Sequence, residues 1–269
     1  MLIVGVACGG YGNVGTLKST VEPGGATAVR ATFMLNRGTM ELGGGASGLM
    51  RGDFATNNRN DPAIDYVVNG RQGTLTLTQA PVQSGFSMAP IENNWSVNLN
   101  NEIPLDLEVN NGGAHVDLNL DTLTVNRLVL NSAVGSAQIS INGVQPDLTS
   151  VGLNSTSGDL QLQMKGDYAQ RRAVNVSSIS GSISADLSGQ SAADVTGSFI
   201  SATGSITIVV PSSIGVVIEV ATTSGTIDAG GLTERAPGTF VNATAGSSPV
   251  TMSLNVRTTS GAIKLRVAK

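Results

Sequence analysis

The chain has 269 residues, a formal net charge of −4 at pH 7, 13% charged residues and only 3% aromatic residues. Such a length suits one elongated domain or two compact ones, and so few aromatic residues predict a core built from Val, Ile, Leu and Ala. The scattered Lys and Arg argue against a nucleic-acid-binding surface. The sequence also lacks both an apolar run long enough for a transmembrane helix and a second cysteine for an intrachain disulfide.

Residues 1–25 are predicted to be a signal-peptide remnant followed by a tether. The first eight residues are apolar and end in Cys8, which glycine follows. This resembles the end of a bacterial lipoprotein signal peptide, and Cys8 would then carry a lipid that is the chain's only contact with a membrane. Because no basic n-region precedes the apolar stretch, a first β-strand with a buried cysteine stays the alternative. The polar, Gly-rich stretch Tyr11–Pro23 is predicted to be the tether.

Residues 26–80 are predicted to form an N-terminal β region. Apolar and polar residues alternate in Ala28–Leu35, Gly38–Leu42 and Gly73–Thr78, and this period of two is typical of strands with one buried face. Residues 81–94 contain two prolines and a glycine and are predicted to connect this region to the rest of the chain.

Residues 95–269 are predicted to form a repetitive domain. Glycines at positions 135, 158, 181, 204 and 225 are 23, 23, 23 and 21 residues apart, and each lies between two short alternating stretches. A near-constant period of this size is typical of stacked supersecondary units, because strand pairs so short bury their apolar face only against neighbouring copies. Glycine suits the corners, since it accepts positive φ and close approach of another backbone.

The predicted fold is all-β: a single-stranded-coil β-solenoid (β-helix) of about seven coils, capped by the N-terminal β region. An antiparallel β-sandwich is the alternative. Trp95, the only tryptophan, is expected to cover the apolar end of the stack rather than to bind a sugar. Leu232–Pro249 is expected to be a loop extruded from one coil, and the basic segment Arg257–Lys269 is expected to close the stack.

Three stretches resemble bacterial toast-rack proteins, which are related to cell-wall-active antibiotic response proteins. They are Thr39–Ala46; Asn94-Trp95 with Ile103–Leu107; and His115–Leu120 with Leu128–Leu130. The Ser-Gly-x-Ile copies between residues 157 and 265 are similar to the adhesin-type domain found in the same kind of protein. The resemblance covers about residues 26–269. It implies a β-solenoid of the cell envelope with a stress-sensing, scaffold or adhesive role, and it implies no catalytic residues.

No catalytic, cofactor-binding or metal-binding residue is predicted. His115 is the only histidine and is distant in sequence from Cys8, whereas a zinc site needs several His or Cys ligands. We therefore interpret His115 as a surface or edge residue of a strand.

Carboxylates are the best candidates for chemistry, because acidic grooves of β-helices can bind Ca²⁺ and polysaccharide. Asp106 and Glu108 share one strand face, and Asp117 and Asp121 are expected to stack nearby. Each occupies the polar position of an alternating strand, which favours an ordinary solvated face. Arg51-Gly-Asp53 spells an integrin-binding tripeptide and is interpreted as a turn.

These observations favour a non-enzymatic protein of the cell envelope or cell surface, outside the cytoplasm. It would present a long Ser/Thr/Asn surface to an envelope protein or a polysaccharide, as an adhesin-like or scaffold module, and it would be a lipoprotein if Cys8 is lipidated. Two alternatives stay open. One is a polysaccharide-binding or polysaccharide-cleaving β-helix, which requires a groove with clustered charged residues. The other is a self-assembling filament subunit, a homo-oligomer stacked coil on coil.

Overall fold

The computed structural model describes residues 3–4, 14–57, 61–80 and 92–269, and all regular structure in these residues is β-strand. The N-terminal strands are β1 (Ile3–Val4), β2 (Gly15–Val21), β3 (Ala28–Leu35), β4 (Thr39–Gly44), β5 (Met50–Thr56), β6 (Ala63–Asn69), β7 (Gln72–Thr78) and β8 (Asn93–Leu99). The central strands are β9 (Leu105–Asn111), β10 (His115–Asn119), β11 (Val125–Val134), β12 (Ala137–Ser140), β13 (Val144–Gln145), β14 (Ser150–Ser157), β15 (Leu160–Gln163), β16 (Asp167–Tyr168), β17 (Arg172–Ser178), β18 (Ile183–Asp186), β19 (Gln190–Ser191), β20 (Val195–Ser201) and β21 (Ile206–Val210). The C-terminal strands are β22 (Gly215–Thr222), β23 (Ile227–Gly230), β24 (Thr233–Ala236), β25 (Thr239–Val241), β26 (Thr251–Thr258) and β27 (Ile263–Val267).

The described strands form three sheets. Sheet A has twelve strands in the order β1-β2-β5-β8-β4-β10-β12-β15-β18-β21-β27-β23. Sheet B has twelve strands in the order β24-β25-β22-β26-β20-β17-β14-β11-β9-β3-β7-β6, and the small sheet C consists of β13-β16-β19.

Each central coil contributes one strand to each long sheet. The chain follows sheet B in β14, turns at Gly158, follows sheet A in β15 and returns through β16 in sheet C to β17. β14 and β17 are parallel, with Val151 beside Val174, 23 residues further on. Because neighbouring strands lie about 4.8 Å apart, equivalent residues of successive coils form columns along the axis. This arrangement confirms the β-solenoid, explains the 23-residue period and excludes the antiparallel sandwich.

The core lies between sheets A and B and is built from aliphatic columns. Leu107, Leu128, Val151 and Val174 occupy one inward position on successive strands of sheet B, and each is at most 2% exposed. Side chains of similar volume stack without voids when every coil repeats the same outline, which is why the predicted core of Val, Ile, Leu and Ala suffices with so few aromatic residues.

A hydroxyl-bearing side chain turns inward where a coil passes from sheet B to sheet A. Ser178 Oγ accepts a hydrogen bond from the backbone N–H of Gly181 at 2.8 Å. In the next coil, Ser201 Oγ accepts from the N–H of Gly204 at 2.8 Å and donates to the Gly181 carbonyl oxygen at 3.2 Å. The corner motif is therefore Ser/Thr-x-x-Gly, and its hydroxyl satisfies backbone groups at the bend.

The corner glycines are required because successive coils meet there backbone to backbone. A Cβ at Gly158, Gly181 or Gly204 would overlap the carbonyl oxygen of the corner glycine in the coil before it. Only the first of these three has a φ in the left-handed region, at 151°. Close approach is thus the common cause, and it fixes how tightly the coils stack.

The C-terminal coils are not stacked in chain order. β20 and β21 pair with β26 and β27, and β22 and β23 pair with the opposite edges of β26 and β27. The last coil of the chain is thus inserted between the two coils that precede it, and the expectation that Arg257–Lys269 closes the stack is wrong. Thr222-Thr-Ser-Gly225 and Thr258-Thr-Ser-Gly261 have the same corner sequence, so the pattern alone does not determine which of them lies on Gly204.

The segment expected to be an extruded loop contains a β-hairpin in its first part. Leu232–Pro249 contains β24 and β25, which form an antiparallel hairpin, and β25 pairs antiparallel with β22. The hairpin extends sheet B beyond the last coil and ends the parallel repeat, because its antiparallel strands do not continue the coil path.

The N-terminal strands form the opposite end of the stack, as the capping prediction requires. β3 lies between β7 and β9, and β4 lies between β8 and β10. Beyond them, β2, β5 and β8 pair antiparallel in sheet A, and β6 pairs antiparallel with β7 in sheet B. The first coil is therefore covered by residues that follow it in the chain.

The stretch predicted to be a tether is instead mostly a strand. Gly15–Val21 forms β2, and its Leu17, Ser19 and Val21 are buried against the end of the core. Its alternation of apolar and polar residues is short and interrupted by Ser19, which concealed it in the sequence.

Cys8 and most of the predicted connection 81–94 lie outside the described residues.

Trp95 is buried near this end of the stack, on β8. It is 1% exposed, its ring packs edge-on against Phe54 at a centroid distance of 5.4 Å, and its Nε1–H donates to Asn93 Oδ1 at 3.0 Å. Trp95 therefore fills the terminal part of the core, as expected, but three further strands, β5, β2 and β1, lie beyond it in sheet A.

Candidate binding groove

A column of polar side chains runs along the outer face of sheet B. Asn110, Asn131 and Asn154 occupy equivalent positions on β9, β11 and β14, and Ser177 follows on β17. Asn131 Nδ2 donates to Asn110 Oδ1 at 3.0 Å, and Asn154 Nδ2 donates to Asn131 Oδ1 at 3.0 Å. Ser177 Oγ donates to Asn154 Oδ1 at 2.8 Å. These four side chains are named the amide ladder.

The ladder keeps hydrogen-bonding capacity for a ligand. A carboxamide has two N–H donors and an oxygen with two lone pairs. Asn131 and Asn154 each use one N–H and one lone pair within the ladder. One donor and one acceptor thus remain on each of these coils, repeated at the spacing of the strands.

The amide ladder forms the floor of a long groove, named the sheet B groove. Two adjoining depressions of about 710 and 620 Å³ share Ser155, Ser177 and Ile179 and together extend from Met34 on β3 to Ala221 on β22. Between these ends the groove crosses eight strands of sheet B, a distance of about 34 Å at the usual strand spacing.

The wall of the groove is formed by residues at the corner, two positions after each ladder position. Ala133, Thr156, Ile179 and Ala202 lie there at 23-residue intervals. Ile179 is 59% exposed, and Ile200, on the floor, is 44% exposed. The small members of the wall keep the groove open, and the two isoleucines give it apolar contact surface.

The sheet B groove is nearly uncharged. Of its lining residues that the structure describes, only Arg257 carries a charge. Cleavage of a glycosidic bond ordinarily requires a pair of carboxyl groups on either side of it. The described lining offers no such pair.

The carboxylates considered in the sequence do not come together. Asp106 and Glu108 lie on the outer face of β9 in sheet B, whereas Asp117 lies on β10 in sheet A, so the expectation that Asp117 and Asp121 stack near them is wrong. The chain turns the corner between the two strands, which separates the pairs. Asp121 Oδ1 instead accepts hydrogen bonds from a hydroxyl and a backbone N–H at 2.6 and 2.7 Å. Within the described ranges, no group of three or more His, Cys, Asp or Glu could hold a metal ion.

His115 and the Arg-Gly-Asp tripeptide also lie away from the groove. His115 is exposed on β10, with Nδ1 2.7 Å from Ser136 Oγ. The tripeptide is part of β5 rather than a turn, so that interpretation is wrong. Arg51 and Asp53 point to the same outer face and form an ion pair at 3.3 Å, because alternate residues of a strand share a face.

The largest pKa shifts belong to a buried pair beside sheet C. The Arg172 guanidinium lies 4.1 Å over the ring of Tyr168, and its Nη2 donates to Ser191 Oγ at 2.6 Å. Burial raises the pKa of Tyr168 to about 12 and lowers the pKa of Arg172 to about 10. Desolvation rather than a reactive neighbour is the main cause, and the pair fills a corner of the core, so it marks a structural site.

The amide ladder is not evident from the sequence alone. Asn131 and Asn154 are separated by the same 23 residues as the corner glycines, and that coincidence was the available signal. Alternation indicates that both face outward, but only the parallel register shows that their amides meet.

In the part of the chain that the structure describes, no helix is long and apolar enough to span a membrane.

The sequence profile of one family, described as the N-terminal domain of toast_rack, DUF2154, matches residues 11–162. The match covers more than half of the chain. The chain belongs to the toast-rack family. The resemblance found in the sequence motifs is thereby confirmed, and no curated protein matches this toast-rack chain.

Several solved structures are similar to this toast-rack protein. One, from Clostridium sporogenes ATCC 15579, bears the provisional name of a cell adhesion protein; it has 21% identity and a TM-score of 0.53, over 95% of this chain and all of its own. Another, from Bacteroides fragilis NCTC 9343, is provisionally named an adhesin and has 15% identity and a TM-score of 0.41, over 94% of this chain and 97% of its own. A third, from Parabacteroides distasonis ATCC 8503, is provisionally named a lipid binding protein and has 14% identity and a TM-score of 0.44, over 97% and 98%. At such identities, the similarity to the first structure shows a shared fold.

Proposed function

We propose that this toast-rack protein is a non-enzymatic, adhesin-like interaction module of the cell envelope or cell surface, and that the sheet B groove is its binding surface. The observation that carries the proposal is the continuity of the groove across eight strands above a repeating amide floor. The provisional name of the Clostridium sporogenes protein, a cell adhesion protein, supports the same role.

The solenoid gives such a surface its rigidity. Every strand along the groove, from β3 to β22, is hydrogen-bonded on both edges, so the ladder side chains project from a backbone that is already ordered. A ligand that lies along the groove therefore meets groups in place, and little conformational entropy is lost on binding. Long partners gain most, because each further coil adds the same contact.

The nearly neutral lining supports binding rather than cleavage. We assign no catalytic, metal or cofactor role to any residue, and the net charge of −4 disfavours a nucleic-acid partner. A position outside the cytoplasm agrees with the Ser-, Thr- and Asn-rich surface. Lipid attachment at Cys8 stays a prediction.

The test compares two exposed apolar residues, one in the groove and one elsewhere. Ile179→Arg places a long cation in the groove, whereas Val144→Arg changes a residue that is 69% exposed on β13, beside Asp167 in sheet C. Purified protein is incubated with isolated cell envelopes of the producing organism, and the retained fraction is measured. We expect wild type and Val144→Arg to be retained alike, and Ile179→Arg to bind at least about tenfold more weakly, a loss of about 1.4 kcal/mol.

Equal retention of the two variants would exclude the groove as the binding surface, and no retention of wild type would contradict the adhesin-like role. Static light scattering of the same proteins distinguishes the self-assembly alternative. A mass that rises with concentration in wild type and in both variants would indicate assembly coil on coil, and a rise that Ile179→Arg abolishes would show that the groove binds another copy of the chain. Either result would count against the proposal.

A further inference from the structure

We infer that the partner in the sheet B groove is a linear, uncharged glycan that lies parallel to the solenoid axis, with about one sugar residue per coil. This inference rests on the proposed function and names the ligand class of the same groove. It follows from the spacing, the hydrogen-bonding valence, the apolar contacts and the charge of the lining.

The repeat of the groove matches a glycan better than a peptide. Successive ladder positions are one strand spacing apart, about 4.8 Å. A β-1,4-linked pyranose advances by about one ring length per residue, close to this spacing. Because successive sugars are turned by about half a rotation, equivalent hydroxyls face the same way every second sugar, about two strand spacings apart. An extended polypeptide advances about 3.4 Å per residue, and its side chains on one face recur every second residue, about 6.8 Å apart. This repeat does not match the strand spacing, so a peptide loses register with the ladder within a few coils.

The free valences of the ladder suit vicinal hydroxyl groups. Asn131 and Asn154 each retain one N–H and one oxygen lone pair. A hydroxyl group both donates and accepts, so two neighbouring hydroxyls of one sugar satisfy one amide: the first accepts from the N–H and the second donates to the oxygen. The following coils offer the same pair, and equivalent hydroxyls of a β-1,4 glycan return to the ladder at every second coil.

The apolar residues of the groove provide the remaining contact. Ile179 and Ile200 are 59% and 44% exposed, and Met34 at the far end is 40% exposed. Their side chains suit the C–H faces of pyranose rings, which would remove this apolar surface from water. Because the described lining contains no aromatic ring, each sugar contributes modestly, and tight binding requires several coils.

The charge of the lining favours a neutral polymer. Arg257, on β26, is the one charged residue of the described lining. At the other end Glu108 Oε1 accepts a hydrogen bond from Asn110 Nδ2 at 3.0 Å, which places a carboxylate beside the ladder. An anionic glycan would meet that carboxylate and the negative net charge of the chain, with repulsion over a distance comparable to the Debye length of about 8–10 Å.

The experiment is a calorimetric titration of the full chain with cello-oligosaccharides of increasing length. We expect affinity to rise with each added sugar until the oligosaccharide spans the four positions of the ladder, and to rise more slowly thereafter. Ile179→Arg is expected to weaken binding at least about tenfold, and Val144→Arg to leave it unchanged. An oligogalacturonate of matched length is expected to bind at least about tenfold more weakly than the neutral chains. Circular dichroism confirms that the variants are folded.

The outcomes separate this inference from the proposed function. If no neutral oligosaccharide binds, or affinity does not depend on length, while envelope retention still requires Ile179, the glycan is wrong and the groove stands. Preferential binding of the oligogalacturonate, or of an extended peptide, would overturn the inference in the same way. Loss of both length-dependent binding and Ile179-dependent retention would overturn both.

Discussion

At the level of single residues, Gly181 and Gly152 show how position in a coil determines the role of a glycine. A Cβ on Gly181 would overlap the carbonyl oxygen of Gly158 in the preceding coil, whereas the nearest atom to a Cβ on Gly152 is the Leu128 carbonyl oxygen at 3.9 Å. Neither has a φ in the left-handed region. The difference is therefore one of space, set by how closely the corners approach each other.

We predict that Gly181→Ala lowers the free energy of unfolding by about 2–3 kcal/mol, because the methyl group forces two backbones apart at the corner. Gly152→Ala is the matched control. It should leave stability unchanged or raise it by up to about 1 kcal/mol, since alanine reduces the conformational freedom of the unfolded chain. Urea denaturation followed by circular dichroism measures both. Similar losses for the two variants would refute close approach as the reason for the corner glycines.

At the level of structural elements, the corner hydroxyls differ between an inner and an outer coil. Thr258 Oγ1 donates to the Gly204 carbonyl oxygen at 3.2 Å, because the coil of β26 and β27 lies directly on that corner. Thr222 occupies the equivalent position in the coil of β22 and β23. Its Oγ1 is buried without a hydrogen-bond partner among the described residues. The same residue type therefore has different energetic consequences at two places in the stack.

We predict that Thr258→Val costs about 1 kcal/mol of stability, because the Gly204 carbonyl oxygen loses a donor in a buried corner. Thr222→Val should be neutral or stabilising, since it removes a buried hydroxyl that has no partner. Midpoints of thermal unfolding for the two variants and wild type measure the difference. Equal midpoints for both variants would mean that these hydroxyls do not distinguish the coils.

The sequence determined the coil but not the order of the coils. The glycines at 158, 181 and 204 and the alternation around them predict strand, corner and strand correctly, because both depend on contacts that repeat identically in each coil. The order of the coils with corners at Gly225 and Gly261 depends on which corner lies on Gly204. Both carry the same Thr-Thr-Ser-Gly sequence, so the local sequence pattern does not determine the order of these two coils. The groove was missed for a related reason: it arises from side chains of different coils, which come together only through the parallel register.

At the level of the whole molecule, the terminal coils are interleaved. In a simple solenoid each repeat contacts its neighbours in sequence, and the last repeats fray first. Here the segment nearest the C-terminus, β26 with β27, is paired on both edges, by β20 and β21 on one side and by β22 and β23 on the other. The end of the stack is instead formed by β23 in sheet A and by the hairpin of β24 and β25 in sheet B. Exposure follows this order: Ile227 on β23 is 40% exposed, although the equivalent Ile263 on β27 is fully buried.

This interleaving predicts an inverted protection pattern in native-state hydrogen exchange. Amides of β26, residues 251–258, should exchange about as slowly as those of the central strand β17, because exposing them requires the coil of β22 and β23 to separate from the stack first. Amides of β23 and β24, residues 227–236, should exchange fastest among the C-terminal strands, since one edge of each is unpaired in the described sheets. Mass spectrometry of peptides covering 172–178 and 211–269 measures both in one experiment, with β17 as the internal reference. Faster exchange in 251–258 than in 227–236 would mean that the chain end frays first, as it would if the coils were stacked in chain order. Slow exchange in 251–258 also bears on the groove, because β26 and β22 form its last part and must stay ordered for a long ligand to use its full length.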